Sequence, residues 1–81
     1  MSHDETRTVV LRVLGRIAPE ADLFVLAPDE DLRSELDIDS MDFLNFIIGL
    51  HKELGVEIPE SDYHHLFTLQ GCIDYLDAAR K

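Results

Sequence analysis

From Ser40 to Leu54 the apolar residues cover most of the circumference of a helix. Met41, Leu44 and Ile48 lie on one side, and Phe43, Phe46, Ile47, Leu50 and Leu54 fill a second. What remains is Asp42, Asn45, Gly49 and Lys52, whose three- and four-residue steps place them on one narrow strip facing solvent. A helix so apolar must be mostly buried, so the rest of the chain has to pack around it. Its ends are marked too. Asp37, Asp39 and Ser40 each offer a side-chain oxygen to unpaired first-turn amides, and Gly55 can take the left-handed conformation that closes a helix.

The flanking segments supply the packing partners. A first helix, from about Glu5 to Ile17, has Val10, Val13, Leu14 and Ile17 at core spacing and stops before Pro19. A short helical turn after Pro59 holds Tyr63 and Leu66 inward. A last helix begins at Thr68 and buries Leu69, Cys72, Ile73 and Leu76, with Arg80 and Lys81 well placed near its C-terminal end. Ala18 to Ile38 is a long connection that needs pinning, and Leu23, Phe24, Val25, Leu26, Leu32 and Leu36 can pin it. Reading Leu23 to Ala27 as a strand leaves it with no pairing partner. The expected fold is all-α: a small four-helix bundle, three longer helices and one short, with a long loop between the first and second, forming a single domain over residues 1–81.

Composition narrows the function. At 81 residues the chain is too small for a deep enclosed enzyme site, so partners must supply the chemistry. A formal charge of −10 opposes nucleic acid and anionic membrane surfaces and favours basic partner faces. It also opposes self-association, so a monomer is expected. No apolar run approaches the roughly 20 residues that span a bilayer, and Met1-Ser2-His3-Asp4-Glu5 is polar and acidic where a secretory signal is basic and then apolar. The lone Cys72 can form no internal disulfide and reads as a small buried side chain. The expected setting is the cytoplasm.

Ser40 is the candidate site. A serine nucleophile needs a base within reach, yet the histidine on the same helix, His51, lies roughly 16 Å along the axis, and no nucleophile-elbow glycines surround Ser40. Two readings remain from the residues alone: a plain N-cap serine, or a hydroxyl placed for modification, where a phosphate would meet the positive end of the helix. Asp29, Glu30, Asp31, Glu35, Asp37, Asp39 and Asp42 crowd the approach against a single Arg33. Their spacing lacks the mid-loop glycine and final glutamate of a calcium loop, and His64 and His65, pointing about 100° apart on a helix, do not make a metal site. No metal is expected. Tyr63, Tyr75, Phe43, Phe46 and Phe67 read as core and not as a binding platform.

Leu36-Asp37-Ile38-Asp39-Ser40-Met41-Asp42, then Glu53-Leu54-Gly55-Val56-Glu57-Ile58-Pro59, then Thr68-Leu69 ahead of Ile73-Asp74-Tyr75-Leu76, resembles the acyl carrier protein family in order and spacing over residues 29–81. The resemblance implies 4′-phosphopantetheine on Ser40, within an attachment motif that includes Asp39 and Met41, and acyl groups carried on its thiol as thioesters. It implies a non-catalytic carrier for fatty-acid, lipid or polyketide-type biosynthesis, with a phosphopantetheinyl transferase and acyl-transferring or acyl-activating enzymes as partners. Glu35, Asp37, Asp42 and Asn45 would then face those partners. Phe43, Phe46, Ile47, Leu50, Ile58, Leu66 and Ile73 would line the core and, overlapping with it, the acyl-chain site. Two positions depart from the family: Asp37 replaces the usual glycine and Met41 the usual leucine. The glutamates common along the exposed face are also missing, with Asn45, Gly49, His51 and Lys52 there instead, which points to a dedicated pathway. An aminoacyl or peptidyl carrier, and an unmodified acidic helical adaptor, are the competing readings.

Overall fold

In a computed structural model of the chain, which describes residues 3–23 and 26–79, no strand forms and the apolar helix runs over Ser40–Leu54 as its periodicity requires. The element order is α1 (His3–Ile17), α2 (Leu32–Glu35), α3 (Ser40–Leu54), a 3-10 helix (Glu60–Leu66) and α4 (Leu69–Ala79). Helix α1 packs against both α3 and α4, and the 3-10 helix packs against α4. One hydrophobic cluster joins Val10, Val13 and Leu14 of α1, Phe43, Phe46, Ile47 and Leu50 of α3, and Leu69, Cys72, Ile73 and Leu76 of α4. The result is the expected all-α bundle of three longer helices and one short, with α2 as an additional single turn. Phe24, Val25, Arg80 and Lys81, which carried part of the sequence reading, lie outside the described residues.

The long connection is held to the far side of the bundle by main-chain hydrogen bonds. Leu32 N donates to Phe67 O at 2.7 Å, Gln70 N to Pro28 O at 2.9 Å, and Asp31 pairs with Thr68 in an isolated bridge. Leu26 and Leu32 are buried in the common core. From Leu26 onward the connection is thus tied by both backbone and side chains, as so long a loop requires. Closing contacts also join the helix ends: buried Thr6 donates its hydroxyl proton to Asp77 Oδ1, linking the start of α1 to the end of α4. Arg12 and Arg16 reach Glu53 at 3.6 and 2.9 Å across the α1–α3 surface, exposed pairs that contribute little to stability. Cys72 is fully buried, its Sγ donating to Leu66 O at 3.2 Å, and burial pushes its thiol pKa up.

The structure corrects the orientation of α3. Met41 is 65% exposed, Leu44 37% and Ile48 42%, so the side expected to be buried faces solvent. The expected solvent strip is instead divided: Asn45 and Lys52 are exposed, while Asp42 and Gly49 are half-buried. Gly49 explains the rotation. A Cβ at that position would stand 2.7 Å from Val13 Cγ1, so α1 approaches α3 over the glycine, which reads as polar only because it has no side chain. Gly49→Ala should therefore lose stability. Alanine gains about 1 kcal/mol of helix propensity, but overpacking a β-branched neighbour costs about 1–3 kcal/mol. In a Val13→Ala background the sign should reverse, as read from urea-denaturation midpoints.

Candidate phosphopantetheine attachment site

Ser40 is positioned by two helix ends that meet over three residues. Helix α2 begins with Asp31, whose carboxylate accepts from Arg33 N at 2.8 Å, and ends in a left-handed residue, Asp37, with φ 52°. Ile38 N donates back to Arg33 O at 3.1 Å, the six-to-one bond of a Schellman closure. This geometry is why glycine suits position 37, and why aspartate, among the non-glycine residues most tolerant of it, replaces glycine here. Ile38 is then buried as an anchor, and Asp39 turns extended, with φ −93° and ψ −176°, to begin α3.

The cap of α3 is made by the residue before Ser40. Asp39 Oδ1 accepts from Asp42 N at 2.9 Å, so Asp39 is the N-cap and Ser40 the first residue of α3. Ser40 is exposed, and among the described residues none hydrogen-bonds its hydroxyl. His51 is committed at the opposite end of α3. Its Nδ1 donates to Val56 O at 2.8 Å, beyond the left-handed Gly55 at φ 66°. No base activates Ser40 from its own helix.

Ser40 opens onto a solvent-facing groove of about 310 Å³ between α3 and the 3-10 helix. Its walls are Phe43, Leu44, Tyr63 and Phe67, with Arg33 and Glu60 at the rim. Phe43 touches three other rings: Phe46 at 6.1 Å, Tyr63 at 6.4 Å edge-on and Phe67 at 5.4 Å between centroids. The Arg33 guanidinium covers Phe67 at 4.0 Å from the ring centre and pairs with Asp31 at 3.0 Å. Hydrogen bonds from the Arg33 side chain, then from its backbone, hold the Asp31 carboxyl below its ordinary pKa, and the same pairing raises that of Arg33. Tyr63 and Phe67 are half-buried, packed against the core on one side and lining the groove on the other. Arg33 was visible in the sequence as the one cation in an acidic stretch, but its place over a ring was not.

The other expected site residues separate into surface and interior. Glu35, Asp37 and Asn45 are exposed and Asp42 is half-buried. Phe43, Phe46, Ile47, Leu50, Leu66 and Ile73 are buried, and Ile58 is half-buried against them. A second cleft of about 530 Å³, with Glu35, Asp37 and Asp42 in its lining between α1 and α3, does not include Ser40. His64 and His65 lie with ring centres 4.1 Å apart and tilted by 37°, and His65 stacks on Tyr75, whose hydroxyl donates to Asp62 at 2.8 Å. The two histidines therefore converge where ideal helical spacing would separate them. Burial first, and then the bond to Asp62, raise the pKa of Tyr75. Among the described residues no group of three His, Cys, Asp or Glu side chains is placed to hold a metal, and no helix is long and apolar enough to cross a membrane.

The family model for the phosphopantetheine attachment site matches residues 4–76. The chain belongs to that family. Proteins similar to it include the acyl carrier protein of Campylobacter fetus, 28% identical over 78 residues that make up 96% of this chain and 95% of the relative. The acyl carrier protein of Campylobacter hominis is 28% identical over 78 residues, 96% and 92% of the two chains. That of Micrococcus luteus is 30% identical over 53 residues, 65% of each. Membership of the family implies 4′-phosphopantetheine as a covalently attached cofactor. The site suits such a group: an exposed hydroxyl at a helix N-terminus, beside an open apolar groove.

Proposed function

We propose that Ser40 bears the phosphopantetheine arm and that the protein shuttles acyl groups between enzymes, catalysing no step itself. The observation that carries this reading is the division of roles at the start of α3. Asp39 satisfies the first-turn amide, leaving the Ser40 hydroxyl exposed and uncommitted. Once attached, the group supplies a thiol on a flexible arm, which holds acyl chains as thioesters. The protein's residues provide the rest. The first-turn amides and dipole of α3 favour a phosphodiester on Ser40. Glu35, Asp37, Asp42 and Asn45 offer a surface that attracts the basic faces of a phosphopantetheinyl transferase and of acyl-transferring or acyl-activating enzymes. Phe43 faces the groove, which shelters the head of the acyl chain, and Phe46, Ile47, Leu50, Ile58, Leu66 and Ile73 form the core behind it.

A dedicated pathway fits the exposed face of α3. Beyond Asp42 that face presents Leu44, Asn45, Ile48, His51 and Lys52, and the one acid farther along α3, Glu53, is paired with Arg12 and Arg16. The lone buried thiol and the charge of −10 suit a monomer in the cytoplasm. Incubation with coenzyme A, magnesium and a broad-specificity phosphopantetheinyl transferase should raise the intact mass by one phosphopantetheine, and fragment masses should assign it to the peptide containing Ser40. An unchanged mass, from a transferase that modifies another carrier in the same tube, would defeat the reading.

A further inference from the structure

Aromatic rings from three parts of the chain converge on one groove beside Ser40: Phe43 from α3, Tyr63 from the 3-10 helix and Phe67 from the residue after it. Phe43 is in edge or tilted contact with both of the others. A groove needed only to keep saturated chains from water would be served by Leu, Ile and Val, whose surfaces are equally apolar. Ring edges and faces add a directional preference, because the positive edge of one ring seeks the negative face of another. Arg33 strengthens the pattern. It is the only Lys or Arg between Arg16 and Lys52, and its guanidinium lies on a ring face at the groove rim although seven acids surround it in sequence. A planar cation held there by Asp31 can cover one further ring as it covers Phe67.

We propose that this groove selects the cargo, and that the preferred acyl group is aryl-bearing: a phenyl ring near the thioester, seated against Phe43, Tyr63 and Phe67 under the Arg33 guanidinium. The inference rests on Ser40 carrying the arm, since the arm brings the acyl group to the groove. Arg33 is a positioning residue, turned toward the groove by its pairing with Asp31. The volume agrees, because about 310 Å³ accommodates a ring and its short linker together with the end of the arm. The wall behind is closed, with Phe43 at 6% and Phe46 at 0% exposure, so a long straight chain would have to displace packed rings to go deeper.

Two cargoes of equal carbon number decide the matter: 3-phenylpropanoyl and nonanoyl groups, each loaded by a transferase from its coenzyme A thioester, with intact mass confirming the load. Cleavage by neutral hydroxylamine is then measured for each loaded protein relative to its own coenzyme A thioester. The phenylpropanoyl form should be protected roughly 2- to 10-fold more than the nonanoyl form, the range expected for one added ring pair. Its arrival should also shift the ring-proton resonances of Phe43 and Phe67. Phe67→Leu, or Tyr63→Leu where that variant folds better, should remove the difference while keeping general protection, and Arg33→Gln should reduce it. Equal or greater protection of nonanoyl, or protection of neither, would overturn the proposal while leaving the carrier role intact. Failure of both acyl groups to add mass, with a transferase that loads another carrier in the same tube, would overturn the carrier role and this inference together.

Discussion

Ser40→Ala should fold and melt like the parent protein and accept no phosphopantetheine at all. The two halves of this expectation have different physical sources. Loss of modification follows from removal of the hydroxyl oxygen that would form the phosphoester. Retention of stability follows from the cap. Were Ser40 the N-cap, alanine would cost about 1 kcal/mol. Here the first-turn amide is held by Asp39 Oδ1 at 2.9 Å, and Ser40 is an exposed first helical residue at which alanine is a good helix former. Thermal melting and intact mass after transferase treatment check both halves. Asp39→Ala supplies the contrast, expected to lose about 1 kcal/mol through the cap. A Ser40→Ala protein that still gained the arm would remove Ser40 from the site. One that melted as low as Asp39→Ala would reassign the cap.

The parts of the fold legible in the sequence are those fixed by local rules. Helix α3 begins at Ser40 and ends at the left-handed Gly55 because capping side chains and glycine act within one turn of themselves. The buried face of α4, made by Leu69, Cys72, Ile73 and Leu76, follows from spacing alone. The orientation of α3 was not legible, since two of its sides are apolar and the remaining strip contains a glycine, and only the approach of Val13 over Gly49 shows which part α1 covers. Helix α2 was missed because a four-residue helix has no periodicity. Its signals were local, an Asp31 cap and an Asp37 able to adopt positive φ. The groove was missed for a related reason. Phe43, Tyr63 and Phe67 look like core residues one at a time, and only the chain's return after Pro59 brings them to a surface beside Ser40.

That return depends on one small residue, and Gly71→Ala should be the most damaging single-methyl change in the molecule. Gly71 lies in the first turn of α4, where Thr68 Oγ1 accepts from its amide at 2.9 Å. A Cβ there would stand 2.9 Å from that same Oγ1 and well inside van der Waals distance of the His65 carbonyl oxygen. A side chain could swing aside, but a carbonyl of the 3-10 helix cannot. The next residue, Leu66, is fully buried, and its own carbonyl accepts from Cys72 Sγ. The loop from α1 is tied at the same junction through Leu32 N to Phe67 O and Gln70 N to Pro28 O. Alanine's propensity gain of at most about 1 kcal/mol is set against about 1–3 kcal/mol of overpacking and about 1 kcal/mol for the displaced cap. Strain on the loop ties adds to that side. A net loss of about 2–3 kcal/mol is a large part of the stability of a domain this size and should lower the melting temperature by on the order of 10–20 °C. Thr68→Ala, which removes the cap and adds no Cβ, should lose only about 1 kcal/mol. Because Tyr63 and Phe67 flank this junction, a loaded Gly71→Ala protein should also leave its thioester more open to hydroxylamine. If Gly71→Ala melted within a few degrees of the parent, the 3-10 helix would have to be far more yielding than its buried neighbours and shared hydrogen bonds imply.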